Sequence, residues 1–285
     1  MMTLLDERQA FCTKYPGEHV PPGDIPYLLS LAGGPESVLE LSDGEGRGVL
    51  AMLLESCENA ADAAEIVLLG RRPGAATDAW AEATLAWGMA KARHGPRANL
   101  HVPGPEQGFF SKELLQRAGF TEAFRTHDME RPPAPPPELP ELPPGLRMAD
   151  LQPEWIPSLY ETTVRAFATV PGANVPPLSD FAPRMLSRPI PPRVVLQGER
   201  AVGFVRVELD ADGTGRIQML GRHPDVRGTG LGPRLLAEGL HLLSARGAGR
   251  IGLEVAAENE RALALYQRAG FEVVRSCSTW QRHST

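Results

Sequence analysis

A run of prolines near the middle of the chain constrains the fold more than any other feature of this sequence. The segment PPAPPPELPELPP, residues 132–144, contains eight prolines in thirteen residues. Each proline removes a main-chain donor and fixes φ, so this segment cannot form a helix or a central strand. We expect a semi-rigid, extended linker. It separates residues 1–131 from residues 145–285, and each half is long enough to build its own hydrophobic core.

The two halves repeat one pattern. The five residues QRAGF occur at 116–120 and again at 267–271, which is 151 positions later. A similar order of strands and helices is predicted before each copy. A repeat of this length is far too long for a solenoid unit and therefore indicates two copies of one domain.

Hydrophobic periodicity predicts the elements of both halves. In the second half it predicts two strands around a turn (194–209), a strand (216–220), a helix (233–245), a strand (250–255), a helix (260–269) and a last strand from residue 271. In the first half it predicts paired strands (37–41 and 48–56), a strand (64–70), a helix (77–93), a strand (98–102), a helix (110–118) and a strand from residue 121.

Composition narrows the class of protein. Hydrophobic residues make up 42% of the chain and charged residues 22%, which argues against extensive disorder. The net charge of −6 disfavours a nucleic-acid partner. Three distant cysteines show no metal or disulfide spacing, no long apolar run suggests a membrane span, and the N-terminus is too charged for a signal peptide. We therefore expect a cytoplasmic protein without a metal.

The stretch RGTGLG, residues 227–232, places three glycines between a predicted strand and a predicted helix. In this context main-chain N–H groups converge on an anion, commonly a phosphate. No Lys-Ser/Thr follows the glycines and their spacing does not fit GxGxxG, so neither a P-loop nor a dinucleotide fold is indicated. From the spacing alone, phosphate binding and an ordinary tight turn both remain open.

Two longer segments resemble the GCN5-related N-acetyltransferase (GNAT) family. LGRHPDVRGTGLGPRLL, residues 220–236, resembles the family's acetyl-CoA motif Q/R-x-x-G-x-G/A, which Arg227, Gly230 and Gly232 meet. LEVAAENERALALYQRAGF, residues 253–271, resembles its second half-motif. Both occur in the usual order, and the resemblance covers most of residues 145–285.

This resemblance implies an α/β (α+β) fold of two tandem acyl-CoA N-acyltransferase domains. Each would be a mixed, mostly antiparallel sheet flanked by helices, with the fourth and fifth strands splayed apart. The pantetheine of acetyl-CoA would bind main-chain groups in that gap, and its diphosphate would rest at a helix N-terminus. The cofactor-binding residues implied are Leu220, Gly221, Arg222, Arg227, Gly228, Thr229, Gly230, Leu231, Gly232 and Asn259. Asn259 would bind the pantetheine or cap the next helix, and Pro233 departs from the pattern because it lacks an N–H.

The same resemblance implies direct acetyl transfer, without a covalent enzyme intermediate. Tyr266 would be the general acid that faces the CoA sulfur, and its alternative is a core tyrosine. Glu254 would be the general base; its alternative is a structural carboxylate, and Glu208 is a rival base. His223 is expected to be a turn residue.

The first half lacks these groups. Leu100-His101-Val102 occupies the position of LEV, Leu115 that of the tyrosine, and RRPGAATDA (71–79) that of the glycine turn. We interpret it as a degenerate copy. An active second copy after a degenerate first one is similar to the mycothiol-synthase-like tandem acetyltransferases, a comparison of architecture that does not identify the acceptor.

The predicted function is transfer of an acetyl group from acetyl-CoA to a primary amine of a small molecule. Two alternatives stay open: acetylation of a peptide or protein, and acyl-CoA binding without catalysis. Acceptor choice should depend on residues 151–188, where four aromatic side chains either line the cleft or form core: Trp155, Tyr160, Phe167 and Phe181. The sequence leaves the oligomeric state open.

Overall fold

The structure is a computed structural model. It describes residues 4–14, 37–43, 46–55, 63–72, 77–94, 99–173, 175–210 and 212–283. From the sequence, residues 1–36 could supply a short helix near residues 26–31, and that segment lies outside these ranges, as do residues 73–76 of the 71–79 segment. No described helix is long and apolar enough to cross a membrane.

The described residues form two compact units. The N-terminal unit contains those of Met1–Ser56, Ala61–Arg125 and Cys277–Thr285, and the C-terminal unit contains those of Thr126–Ser276. The chain therefore returns to the N-terminal unit for its last residues, an exchange that the sequence did not predict.

The C-terminal unit is one mixed sheet with helices on both faces. Its strands lie in the order β6–β7–β8–β9–β10–β5, and every neighbouring pair is antiparallel except β9 and β10, which are parallel. The elements are β5 (Thr121–Arg131), β6 (Leu146–Asp150), α4 (Ile156–Phe167), α5 (Leu178–Leu186), β7 (Arg193–Gln197), β8 (Arg200–Leu209), β9 (Thr214–Arg222), α6 (Leu231–Ser244), β10 (Arg250–Ala256) and α7 (Glu260–Arg268). The last strand, β11 (Glu272–His283), begins in this unit and continues from Cys277 in the N-terminal unit, and β5 crosses the same boundary after Arg125.

The N-terminal unit repeats this topology. Its strands follow the order β1–β2–β3–β4–β11, antiparallel except for the parallel pair β3–β4. The elements are α1 (Leu4–Lys14), which was not predicted, β1 (Val38–Asp43), β2 (Gly46–Glu55), β3 (Ala63–Arg71), α2 (Thr77–His94), β4 (Asn99–Pro103) and α3 (Lys112–Arg117). The predicted mixed sheet flanked by helices is confirmed.

Two hydrophobic clusters cover the two faces of the C-terminal sheet. Val195, on β7, packs with the leucines of α6 and with Tyr266 on one face. Its neighbours Val194 and Leu196 pack on the other face against α4 and α5, since successive side chains of a strand alternate. Burial on both faces explains why these strands are nearly continuous apolar runs. We call the face of the sheet that α6 covers the α6 face, and the face that α4 and α5 cover the α4 face.

The Pro-rich segment forms no helix or strand, as predicted; residues 132–145 are irregular. It is nevertheless held by Arg131, whose guanidinium donates to the carbonyl oxygens of Ala134 at 3.1 Å and Pro135 at 2.7 Å. The same group donates to the Ala269 oxygen at 2.8 Å, after the end of α7. The start of the segment is thereby fixed to the C-terminal unit.

Candidate active site

The centre of the site is the gap between β9 and β10. The two strands pair only where Arg250–Gly252 lies beside residues 214–216. Beyond that point β9 carries a bulge at Gln218, since Met219 and Ile217 pair with successive residues of β8. Bulges bend a strand and increase its twist, which accounts for the separation of β9 from β10. The N-terminal unit shows the same three-residue parallel pairing between β3 and β4.

Main-chain groups of β9 face this gap. The His223 N–H donates to the Val202 oxygen at 2.8 Å, so the main-chain groups of His223 point toward β8. In an antiparallel strand alternate residues point their N–H and C=O groups to the same side. The groups of Leu220 and Arg222 therefore point away from β8, into the gap, and those of Gly221 point toward β8.

The glycine turn leads into a helix whose N-terminus has no side-chain cap. Gly228 and Gly230 have φ of +81° and +84°, in the left-handed region that favours glycine. No described atom lies within 4 Å of a Cβ built on either residue. These two glycines are therefore required by the backbone path rather than by crowding. The helix begins at Leu231, two residues earlier than predicted.

The turn presents unused donors. Within the described part of the chain, the main-chain N–H groups of residues 228–232 donate to no acceptor, and residues 227–230 are exposed. Thr229 uses only its hydroxyl, which donates to the Val226 oxygen at 2.9 Å. Five consecutive free N–H groups at the positive end of a helix form a suitable cradle for an anion.

Three arginines lie close enough to act on one another at this end of the site: Arg227 in the turn, Arg222 beside Gly232, and Arg261. Burial lowers the pKa of Arg222, and the nearby charges of Arg227 and Arg261 lower it further, while Tyr266 acts in the opposite direction. Among the described residues none of the three arginines has a carboxylate partner within ion-pair distance. A cluster of cations that repel one another is stabilised when an anion binds, so the charges and the N–H groups favour the same kind of ligand.

Tyr266 lies on α7 at the edge of the α6 face. Its side chain is 8% exposed and its ring contacts Phe271 edge-on, with centroids 6.0 Å apart. Burial raises the pKa of Tyr266 to about 12, and the charge of Arg222 lowers it in part. The phenol therefore keeps its proton at neutral pH. Its packing is that of a core tyrosine, and its phenol lies close enough to Arg222 for the guanidinium charge to act on it.

Glu254 is on β10, just beyond the point where pairing with β9 ends. Leu253 and Val255 pack on the α6 face, so Glu254 stands on the α4 face, as the alternation predicted. Its side chain is exposed, yet enough protein surrounds the carboxyl that lost hydration raises its pKa. The charge of Asp128 raises the pKa further, and Arg275 lowers it.

The rival base, Glu208, is engaged elsewhere. Its carboxylate accepts from Arg188 at 2.8 Å, Arg206 at 3.1 Å and the Gln218 amide at 3.1 Å. Both oxygens are thus occupied by donors. Glu254 has no such hydrogen bond among the described residues, which favours it over Glu208 as a proton acceptor.

Two further predicted residues have structural roles. Asn259 caps α7, because its side-chain oxygen accepts from the Ala262 N–H at 3.2 Å. His223 is buried and both ring nitrogens are engaged, one by the Asp225 N–H at 3.3 Å and the other by Arg200 at 2.9 Å. These contacts fix the turn before the glycines, which is the role that we expected for His223.

Sequence reasoning missed Asp128 and Arg275, and it assigned Arg222 only a main-chain role. Asp128 belongs to the strand that closes the first half, so nothing local connects it with Glu254. Trp155 and Phe181 are buried in the cluster on the α4 face, and Tyr160 and Phe167 pack against it. Among the described residues no group of three or more histidines, cysteines or carboxylates is placed to hold a metal ion.

Comparisons with known proteins show the family to which the chain belongs. Residues 156–271 match the model of the "Acetyltransferase (GNAT) family". The chain is 30% identical over 254 residues to the mycothiol acetyltransferase of Clavibacter michiganensis subsp. michiganensis, covering 86% of this chain and 79% of that protein. It is 34% identical over 167 residues to the mycothiol acetyltransferase of Thermobispora bispora, covering 54% and 55%.

Solved structures show the same fold over nearly the whole chain. A GCN5-related N-acetyltransferase from Sphaerobacter thermophilus superposes with a TM-score of 0.71 at 16% identity and covers 99% of this chain and 94% of its own. A tandem GNAT protein of the clavulanic acid biosynthesis pathway gives a TM-score of 0.71 at 14% identity, with coverages of 98% and 93%. The prediction of two tandem domains of this fold is confirmed.

Proposed function

Because this chain belongs to the GNAT family of acetyltransferases, we propose that it transfers an acetyl group from acetyl-CoA to the amine of a small molecule. The reaction takes place at the gap between β9 and β10 of the C-terminal unit. One observation supports this most strongly. The five free N–H groups of residues 228–232 follow directly after β9, and the main-chain groups of Leu220 and Arg222 on β9 have no neighbouring strand to pair with on the β10 side.

The turn and the strand together bind the donor. The N–H groups of residues 228–232 hold the diphosphate, and Arg227 and Arg222 supply positive charge. The main-chain groups of Leu220 and Arg222 pair with the amides of pantetheine, as they would with a neighbouring strand. The side-chain amide nitrogen of Asn259 adds a donor, because only its oxygen is used by the helix cap.

Glu254 and Tyr266 move the protons. Glu254 takes a proton from the acceptor ammonium, directly or through water, and its raised pKa suits a base that works near neutral pH. The free amine then attacks the thioester carbon, and the nitrogen of the tetrahedral adduct releases its second proton to water. The bond between carbon and sulfur breaks, and a proton returned through water restores the phenol of Tyr266 after it has protonated the leaving group. Tyr266 donates its phenolic proton to the departing thiolate, and its burial keeps that proton available.

We propose that transfer is confined to the C-terminal copy. Along the sequence the tandem domains are residues 1–131 and 145–285, joined by 132–144, although residues 126–131 lie in the C-terminal unit and residues from Cys277 onward in the N-terminal unit. In the N-terminal unit His101 occupies the position of Glu254, and burial lowers the pKa of this histidine. Leu115, fully buried, occupies the position of Tyr266. That unit therefore offers neither the proposed acid nor the proposed carboxylate base.

The acceptor is tested with a panel of amines, measuring thiol release from acetyl-CoA and acetylated product by mass spectrometry. The panel contains simple primary amines, mycothiol without its acetyl group, which the names of the relatives suggest, and short peptides. We expect turnover with at least one small amine. Turnover with peptides alone would show that the acceptor is a peptide rather than a small amine. CoA binding without any turnover would contradict the proposal that the protein is an enzyme.

A further inference from the structure

A second carboxylate lies beside Glu254, on the neighbouring strand and on the same face of the sheet. In the antiparallel pair of β10 and β5, Glu254 stands directly opposite Asp128. Side chains of directly opposed residues project on the same face and interact. Asp128 is therefore on the α4 face beside the proposed base, although it precedes Glu254 by 126 positions in the chain and belongs to the strand that ends the first half of the sequence.

Arg275 completes a row of three charges across adjacent strands. Its guanidinium contacts the Asp128 carboxylate at 2.8 Å from both Nε and Nη2. The side chains of Asp128 and Arg275 remain 26% and 39% exposed, so solvent and a polar ligand can reach them. The order along the row is base, carboxylate, guanidinium.

Other charged groups near this row are already paired. Glu130, on the same face of β5, lies 3.7 Å from Arg250 of β10. On the β8 side of the gap, Glu208 is bonded to Arg188 and Arg206. The charged residues of α4, which packs on this face, pair with each other: Glu161 with Arg165. Among the described residues Asp128 and Arg275 are thus the charges that act on Glu254.

We propose that Asp128 is a positioning residue for Glu254, and that the two carboxylates form the docking site for a cationic acceptor amine, with Arg275 holding Asp128 in place. This proposal rests on the proposed function and deepens it. It identifies the acceptor as a primary ammonium that enters from the α4 face.

The charges of this row favour a cationic ligand. Two facing carboxylates with one guanidinium carry a net charge of −1, which attracts an ammonium and disfavours a neutral alcohol or an anion. Asp128 strengthens the hold of Glu254 on a proton, as a neighbouring like charge does. Arg275 limits that effect, so that Glu254 is still ionised often enough to accept a proton from the substrate.

The test is the pH dependence of kcat/KM for the best small amine of the panel. In the wild type the rate rises with pH as Glu254 ionises. Asp128→Asn, which keeps the shape, should move this acid limb to lower pH and raise KM for the amine more than it lowers kcat. Arg275→Gln should move the limb in the opposite direction. A merely structural role would not give opposite shifts.

Glu130→Gln is the matched control, because it removes a carboxylate from the same face of the same strand, opposite Gly252 rather than Glu254. It should leave the limb in place. If neither Asp128→Asn nor Glu130→Gln moves the acid limb, the positioning role is refuted. If both variants move it equally, the role is also refuted, because the effect then comes only from the net charge of the surface.

A measurement on the resting protein separates this proposal from the proposed function. Titration of the Glu254 carboxyl carbon by NMR should show a lower pKa in Asp128→Asn than in the wild type. A shift in that titration, combined with unchanged turnover in Glu254→Gln, would refute Glu254 as the base and leave the carboxylate interaction standing. No shift combined with a strong loss of turnover in Glu254→Gln would refute only the role of Asp128.

Discussion

The guanidinium of Arg222 occupies the space that Gly232 leaves open at the first turn of α6. A Cβ built on Gly232 would lie 2.7 Å from Arg222 Nη1, which is too close for van der Waals contact. The third glycine of the motif therefore serves a different purpose from the other two, whose positive φ requires glycine. It admits a positive side chain to the site of the free N–H groups.

Gly232→Ala should weaken CoA binding by displacing Arg222. We expect the Kd for CoA, measured by calorimetry, to rise by roughly tenfold or less, equivalent to about 1.4 kcal/mol at most. Gly249→Ala is the control, since no described atom lies within 4 Å of its added Cβ and its φ is not left-handed. Equal effects of the two substitutions would argue against this role of Arg222.

Tyr266→Phe should reduce kcat by about 10²–10⁴-fold and leave CoA affinity similar, because it removes a proton donor without changing the ring. Tyr160→Phe removes a hydroxyl from the cluster on the α4 face and serves as the comparison. Since the pKa of Tyr266 is raised to about 12, the wild-type rate should show no loss below pH 10 from this group. A kcat within twofold of the wild type in Tyr266→Phe would rule out the acid role.

Glu254→Gln should make the protein more stable at neutral pH while lowering its activity. The folded-state pKa of Glu254 is raised, so the folded protein binds the proton more tightly than the unfolded chain. The free energy of unfolding therefore decreases as pH rises from the ordinary glutamate pKa through the raised one. Thermal unfolding should show a higher Tm for Glu254→Gln at pH 7 and little difference near pH 3. A lower Tm at pH 7 would contradict the raised pKa.

Asn259 can be tested for its two roles separately. Asn259→Ala removes the cap of α7 and should lower the free energy of unfolding by about 1 kcal/mol. Asn259→Asp keeps the acceptor for the Ala262 N–H but loses the amide donor. If the amide binds pantetheine, both variants lose CoA affinity and only Asn259→Ala loses stability; full affinity in Asn259→Asp would limit the residue to capping.

Arg131→Lys should destabilise the C-terminal unit. A lysine cannot reproduce the three bonds to the oxygens of Ala134, Pro135 and Ala269, so carbonyl groups there lose a charged donor. We expect a decrease in the free energy of unfolding on the order of 2 kcal/mol, measured by urea denaturation. Arg147→Lys, at a half-exposed ion pair with Glu199, should change it far less.

Local patterns predicted most of the fold. Alternation along β7 and β8, the glycine turn and the helical period of α6 are properties of a few neighbouring residues, and each element that was given limits formed within a few residues of them. The helix α1 and the strand β6 were missed, and α6 starts two residues early because the turn itself supplies its first residues.

By itself, the sequence determined the repeated domain, the irregular proline segment, and the positions of Tyr266 and Glu254 on their elements, because spacing and backbone restriction are local. Only the tertiary structure decided that Asp128 faces Glu254, that Arg188 and Arg206 occupy Glu208, and that residues from Cys277 onward return to the N-terminal unit. These depend on strand register and on side-chain contacts between segments distant in the chain, which no local period encodes.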